Sequence, residues 1–330
     1  MLSDPQIRPF IVLMASIALL ALADTSGRFL TIATAFSTLQ NFTNIGLVAL
    51  GLGLTMMIRN FDISVVGVFS LAGCIAVMTG DTHPLLGIAL AVGAGVTIGL
   101  IQGVIVVGFR LGSVGVTLGG LLICVGIAHV MTENRAVPYD NLPVSLALNA
   151  PIAGIFSIRN IVALAIFGLA AVIISFTRLG RDLIATGSDR QSAAIAGVAV
   201  GRLTIATLAF SGFCSALSGA MLSYSLASAS PSGLSEVIVP AAAAAILGGV
   251  SLGGGSGRPL GIVAGALTLA VMRSGLNAIG GPSNLNDIAM GTILFVVAIL
   301  DGHHFARHFG LSKPGGGVQK TKPAAPSAQR

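Results

Sequence analysis

Three groups of residues in this chain have types and spacings that could do chemistry. Residues 178–202, RLGRDLIATGSDRQSAAIAGVAVGR, form a polar island that carries Arg178, Arg181, Arg190 and Arg202. Its middle reads as a short amphipathic helix on which Ala193, Ala194 and Gly197 make a flat face of small residues, a shape suited to seating in a partner protein's groove. Residues 248–258, GGVSLGGGSGR, are rich in glycine but lack the GK[ST] ending of a phosphate-binding loop. Lying between two apolar segments, Gly248, Gly249, Gly253, Gly254 and Gly257 with Arg258 read instead as a tight turn. His303, His304 and His308 suggest a metal cluster, yet they follow an apolar segment with only Asp301 nearby, and read as interfacial residues. No HExxH motif or nucleophile elbow occurs, so neither a metal, a cofactor nor enzymatic activity is expected.

The elements that must carry these groups are membrane helices. Hydrophobic residues make up 54% of the 330 residues and charged ones 8%, with a mean hydropathy of +0.96. Soluble domains average about 25% charged residues, so the expected fold is an all-α polytopic membrane protein. The pI near 9.9 does not point to nucleic acid, because the basic residues sit in short loops between apolar spans with no aromatic interleaving. Cys74, Cys124 and Cys214 fall within spans at no metal-ligand spacing and read as packing residues. About ten spans are expected, at 10–23, 42–58, 63–80, 85–108, 113–131, 160–177, 203–225, 237–252, 259–279 and 287–301. The first also fits a signal peptide closing at Ala21-Leu22-Ala23.

Loop charges set the expected direction. With a cytoplasmic N-terminus over residues 1–8, the basic loops around Arg59, Arg110, Arg178–Arg202 and Arg258 and the tail at 303–330 all lie inside. Only Arg28, Arg135 and Arg159 remain outside, and both termini are cytoplasmic. On the outer side, residues 132–158 read as an ordered or partly re-entrant segment and residues 226–236 as backbone lining a cavity. The tail from Leu311 is rich in Pro, Gly, Ala and Lys and is expected to be disordered. Glycine stripes at Gly95-Gly99-Gly103 and Gly257-Gly261-Gly265 predict close helix contacts.

Polar residues near the spans each carry two readings. Asp62 can cap the next helix while Ser64 serves its first turn, or it can be a gate or a partner contact. Glu236 can favour a helix dipole or pair with a basic group of an outside partner. Asn277, Asn284 and Asn286, with Arg273 one turn inside, suit either an outer vestibule or simple turns.

Three segments resemble the permease subunits of bacterial ABC importers of the ribose, xylose and autoinducer-2 type, a branch that also includes branched-chain amino-acid permeases. They are Gly180-Arg181-Asp182-Leu183-Ile184-Ala185-Thr186-Gly187 with Ala193–Val198, AAAAAILGGVSLGGGSGR at 241–258, and Asn60-Phe61-Asp62-Ile63-Ser64-Val65-Val66-Gly67. The resemblance covers residues 9–302, the expected transmembrane domain. Asn60-Phe61, Gly112–Gly115 and Pro240 depart from the family pattern.

The resemblance implies a second permease subunit, an outside solute-binding protein and a cytoplasmic ATP-binding-cassette ATPase that seats on residues 178–202. Gly180, Arg181, Ala185, Gly187, Arg190, Ala193, Ala194 and Gly197 would then couple ATP hydrolysis to the membrane, against the alternative of a solvated loop that only fixes topology. Scarce charge in the spans favours a small neutral solute, a sugar or polyol, over a branched-chain amino acid or nucleoside. An ion-coupled transporter would be expected to carry intramembrane acids or an inverted repeat, and neither is evident.

Overall fold

The computed structural model describes residues 7–232, 237–282, 285–286, 288–292 and 295. Its helices are α1 (Arg8–Ala23), α2 (Ile32–Met57), α3 (Val65–Thr79), α4 (Pro84–Gly108), α5 (Ser113–Met131), α6 (Leu142–Asn149), α7 (Ile158–Phe176) and α8 (Arg178–Ser188). They continue with α9 (Arg190–Ile195), α10 (Val200–Ser225), α11 (Ile238–Leu247) and α12 (Pro259–Ala278). Among them α4, α5, α7, α10 and α12 are each long and apolar enough to cross a membrane, so the chain is a multi-pass membrane protein.

One half of the bundle is arranged about α2, and the other half, α3 and α4, packs on α10. From Ile45 to Met57 every residue of α2 is buried, as an all-round apolar pattern requires. It lies against α7, α10, α11 and α12. Its first half is different, carrying Ser37, Gln40, Asn41, Thr43 and Asn44. The helix begins at residue 32, well before the expected 42, because the Thr31 side chain accepts from the Thr34 N–H and caps it. A hydropathy reading stops at these polar residues, although the helix runs through them.

The glycine stripes do what their spacing predicts. A side chain at Gly95 would overlap the Gly212 carbonyl or the Ala216 methyl, and one at Gly99 the Leu208 carbonyl, so α4 and α10 meet backbone to backbone. Gly261 and Gly265 lie against the carbonyls of Gly248 and Ala244 in the same way, joining α12 to α11. With 10 residues, α11 is about 15 Å long, half of the ~30 Å apolar thickness of a bilayer. The crossing expected at 237–252 is therefore not one helix, since the chain turns at Gly248.

The bundle has two distinct ends. At one, the 132–158 and 226–232 segments pair through β1 (Val137–Pro138) and β2 (Ser228–Ala229), an antiparallel ribbon with Val137 opposite Ala229. The chain's two tyrosines, Tyr139 and Tyr224, stack beside it at 4.4 Å. Tyr139 donates to the Gly80 carbonyl at 3.1 Å and Tyr224 to the Ala76 and Pro84 carbonyls, closing the turn between α3 and α4. The other end carries α8, α9 and the glycine turn after α11.

Candidate functional site

At the α8–α9 end, three segments far apart in sequence meet. Thr177 caps α8 by accepting the Leu179 N–H at 3.2 Å, and the chain turns sharply there, with Gly180 pressed on the Ile174 carbonyl. Gly180, Leu183, Thr186 and Gly187 face inward, while Arg178, Arg181 and Ala185 are exposed. Gly187 sits directly on the Met57 carbonyl, the end of α2. The glycine turn reaches the same atom: the Gly255 N–H donates to it at 2.9 Å. Gly254 and Gly255 have φ of +75° and +74°, a left-handed conformation that glycine adopts without strain.

Arg59 completes the junction. Its φ is +61°, and its Nη2 donates to the Ser188 carbonyl at 2.6 Å, so it closes the C-terminus of α8. Its side chain fills the space beside Gly254. Arg59 was legible only as a topology marker, although the break from an apolar run to Arg59-Asn60-Phe61-Asp62 is the signal that a folded connection starts here.

The next residues bind this junction to α5. Phe61 N–H donates to Ser113 Oγ and Ile63 N–H to Thr117 Oγ1, each at 3.1 Å. Asp62 is 1% exposed and accepts from the Ser64 N–H at 3.0 Å and the Ser64 hydroxyl at 2.6 Å. It braces the turn that leads into α3 from within rather than capping the helix, since Ser64, whose N–H it accepts, precedes the first helical residue Val65. Ser64 Oγ bonds Asp62 and Gln102 at 2.9 Å rather than the first turn of α3. Burial pushes the Asp62 carboxyl above its ordinary 3.8, with the hydroxyls of Ser64 and Ser211 opposing.

The chain breaks at Asp189 and restarts as α9. Asp189 accepts from the Ser192 hydroxyl at 2.6 Å and the Gln191 N–H at 2.9 Å, bonds that hold its carboxyl below the usual value. The expected small-residue face is only partly presented. Ala193 is 4% exposed and packs inward, whereas Ala194 and Gly197 are exposed and Ile195 is 82% exposed. Arg190 is exposed, and its Nη2 also donates to Thr204 Oγ1 on α10 at 2.9 Å. The surface that α8 and α9 offer includes Arg178, Arg181, Ala185, Arg190, Ala194, Ile195 and Gly197.

A family model described as branched-chain amino acid transport system / permease component matches residues 34–298. The chain belongs to this permease family. The ribose import permease protein of Escherichia coli K12 is 29% identical to this permease over 300 residues, 88% of this chain and 92% of the relative. The autoinducer 2 import system permease protein of Enterobacter sp. 638 is 31% identical over 308 residues, 92% and 88% of the two chains. The L-arabinose ABC transporter permease protein of Azospirillum brasilense is 27% identical over 301 residues, 88% and 85%. No solved structure matches the permease. As a permease component it is a transport subunit rather than an enzyme. Among the described residues no three His, Cys, Asp or Glu side chains gather where a metal could bind, and His303, His304 and His308 lie outside them.

At the ribbon end of the permease, Arg273 and Asn277 are exposed one turn apart on α12, and Asn277 accepts from Asn286 Nδ2 at 3.1 Å. Glu236 and Asn284 lie outside the described residues. A second polar assembly at this end was not anticipated: Arg159, at the start of α7, is 3% exposed among amides and hydroxyls of α2, α6 and α10.

Proposed function

We propose that this permease is the membrane-spanning subunit of an ATP-driven, binding-protein-dependent importer that carries a small neutral sugar or polyol across a bacterial inner membrane. In this reading residues 9–302 form about ten transmembrane segments with both termini in the cytoplasm. The α8–α9 end faces the cytoplasm and receives an ATP-binding-cassette ATPase, the ribbon end faces a solute-binding protein, and a second permease subunit completes the pathway. The loop charges support that direction. The sugar class is supported by the similarity to the ribose and L-arabinose permeases, together with the scarcity of charged residues in the five long apolar helices.

The observation that carries the coupling role is the shared acceptor at the end of α2. A displacement of α8 moves Gly187 and the Ser188–Arg59 bond, and with them Met57 and the glycine turn. α2 is buried on all sides over that half, and close-packed interiors transmit displacement rather than absorb it. Force on the exposed face of Arg181, Ala185, Ala194 and Gly197 thus reaches the central helix through Gly180, Gly187 and Arg59. Arg190 and Ala193 hold α9 to α10 and α8 from beneath. Asp62 and Ser64 fix the far side of the junction, and the turn at Gly248, Gly249, Gly253, Gly254, Gly257 and Arg258 closes it. Glu236, Arg273 and Asn277 remain candidates for the outer pathway or the binding-protein contact.

The test is uptake into proteoliposomes that contain the permease with and without its ATPase and binding protein, across pentoses, hexoses, polyols and branched-chain amino acids. ATP-dependent uptake that needs every component is expected, with a sugar or polyol as solute. Uptake by the permease alone, driven by an ion gradient, would overturn the reading. The family's branched-chain amino-acid members make a branched-chain amino acid the second reading, decided by the same panel.

A further inference from the structure

A buried guanidinium without a carboxylate is an expensive feature. Taking the charge out of water costs several kcal/mol after relaxation, and that cost is normally offset by an acidic partner. Arg159 has none among the described residues. Its Nη1 donates to Ser225 Oγ at 2.7 Å and to Gln40 Oε1 at 3.4 Å, and its Nη2 to Asn44 Oδ1, all of them neutral oxygens. Ser225 donates onward to Asn149 Oδ1 on α6 at 2.6 Å, so three helices, α2, α6 and α10, supply the surroundings of Arg159 on α7.

The arrangement also has more donors than acceptors. Arg159 Nε and Gln40 Nε2 are buried and have no hydrogen-bond partner. Reversing the Gln40 amide does not cure this, because a guanidinium only donates and the amide must turn its oxygen to it. The surplus N–H groups follow from the choice of side chains, and leaving each unpaired costs about 1–3 kcal/mol.

The layer is not sealed. Ser37, Gln40, Asn41, Asn44, Asn149 and Ser225 are all half-buried. Ser37, Gln40, Asn41 and Asn44 follow one another at helical spacing along one side of α2. Ser274 on α12 extends the wall, accepting from Asn41 Nδ2 at 2.8 Å and bonding Ser37 Oγ at 3.3 Å. One residue further along α2 the polar wall stops, and Ile45–Met57 are apolar or small and buried, apart from Thr55.

We propose that this layer, with Arg159 at its centre, is a solute site in the outer half of the permease, where a polyhydroxylated solute exchanges water for hydrogen bonds to Arg159 and Gln40. The proposal rests on the importer reading and deepens it. Unsatisfied N–H groups around a fixed positive charge select a ligand by its acceptor oxygens and repel a cationic one. Closely spaced oxygens of that kind come either from the hydroxyls of a neutral sugar or from the carboxylate of a sugar acid.

The deciding variant is Gln40→Glu. It supplies Arg159 with the missing carboxylate at a position already in contact, and it removes the free amide N–H. A purely structural role for the layer predicts a more stable permease with normal transport. A solute site predicts equal or higher melting temperature together with ATP-driven uptake lower by roughly tenfold or more, the factor that one hydrogen bond to a charged group corresponds to. Uptake is measured in the full reconstituted complex with binding protein saturated with D-ribose in one arm and D-ribonate in the other, which separates hydroxyl from carboxylate as the oxygen source. Gln40→Met, which deletes the amide donor together with the oxygen that accepts from Arg159 and adds no charge, should lower uptake in the same arm. Unchanged uptake in Gln40→Glu beside wild-type transport overturns this site alone. A wild-type complex that carries neither probe, nor any other sugar, takes down the importer reading and this site with it.

Discussion

The junction at the end of α2 allows a quantitative prediction at Gly187. Replacing it with alanine adds one methyl group, and in an ordinary helix that change is favourable by about 1 kcal/mol. Here the new methyl would overlap the Met57 carbonyl oxygen and the Gly255 nitrogen and lie 2.9 Å from Gly255 Cα. All three are backbone atoms, and two of them form the Gly255–Met57 hydrogen bond, so none can retreat without breaking it. Overpacking of this kind costs about 1–3 kcal/mol and the lost bond about 1 more. The net result is a loss of roughly 1–3 kcal/mol after the gain in helix propensity. Thermal unfolding of the purified protein in detergent measures it, with Gly168→Ala on α7 as control, where nothing lies within 4 Å of the added methyl. Gly187→Ala should melt lower than wild type and lose ATP-driven uptake more than it loses folded protein, and the control should melt at the wild-type temperature or above. A Gly187→Ala permease that melts and transports as wild type does would refute the close approach of α8 to α2, and with it the proposed route of force.

The two sides of α9 should separate on substitution. Ala194→Lys is expected to leave folding and membrane insertion intact while uncoupling ATP hydrolysis from uptake, whereas Ala193→Lys should lower the melting temperature first; identical effects of the two would contradict the burial of Ala193. Gly99→Leu should separate α4 from α10 and sharply reduce the yield of folded protein, which fluorescence-detected gel filtration reads directly. At Asp62 the native protein holds its proton more tightly than the unfolded chain, so stability falls as pH rises from 3.8 through the raised native value. Asp62→Asn keeps an acceptor for the Ser64 N–H and removes that dependence, so its melting temperature should vary less with pH across the window; parallel profiles would sink this account. Asp189 has the opposite sign, since its native value is lowered: the support it gives α9 is present above 3.8 and is lost as pH falls below it, as circular dichroism of Asp189→Asn against wild type should reveal.

Periodicity and motif carried the sequence reading far in some places and failed in others for identifiable reasons. The stripe at Gly95-Gly99-Gly103 and its counterpart at Gly261-Gly265 were legible because a missing side chain has one dominant use in a lipid-embedded helix, whereas Gly257 lies in the turn before α12 against Met57 and Val250. The Gly248 turn was legible as a turn, but the helix before it read as a full span because Val250 and Leu252 extend the apolar run past the backbone's reversal. The small face of α9 was misjudged at Ala193, since alanine has no polarity to reveal which side of a six-residue helix it occupies. The meeting of Gly187, Arg59 and Gly255 could not be read at all, because each contact is to a main-chain atom and leaves no trace in side-chain pattern. Arg159 was placed in a loop by its charge. Its true setting depends on Gln40, Asn44 and Ser225, residues 119, 115 and 66 positions away that hydropathy counts only as polar.

The polar half of α2 has a consequence for biogenesis. Its threonines can bond back to earlier carbonyls, but the partners of its amides and its cross-helix partners are made later: Asn160 lies 117 residues downstream of Thr43, and Ser274 lies 233 downstream of Asn41. When α2 leaves the ribosome it must meet the bilayer with the amides of Gln40, Asn41 and Asn44 bare, each costing free energy in hydrocarbon. Lateral release of α2 from the insertion machinery should therefore wait until α7, α10 and α12 have been translated, and the nascent chain remains beside the translocon for most of synthesis. A ribosome-arrested chain ending before residue 158 should still cross-link to the insertion channel through α2, and one carrying α12 should not.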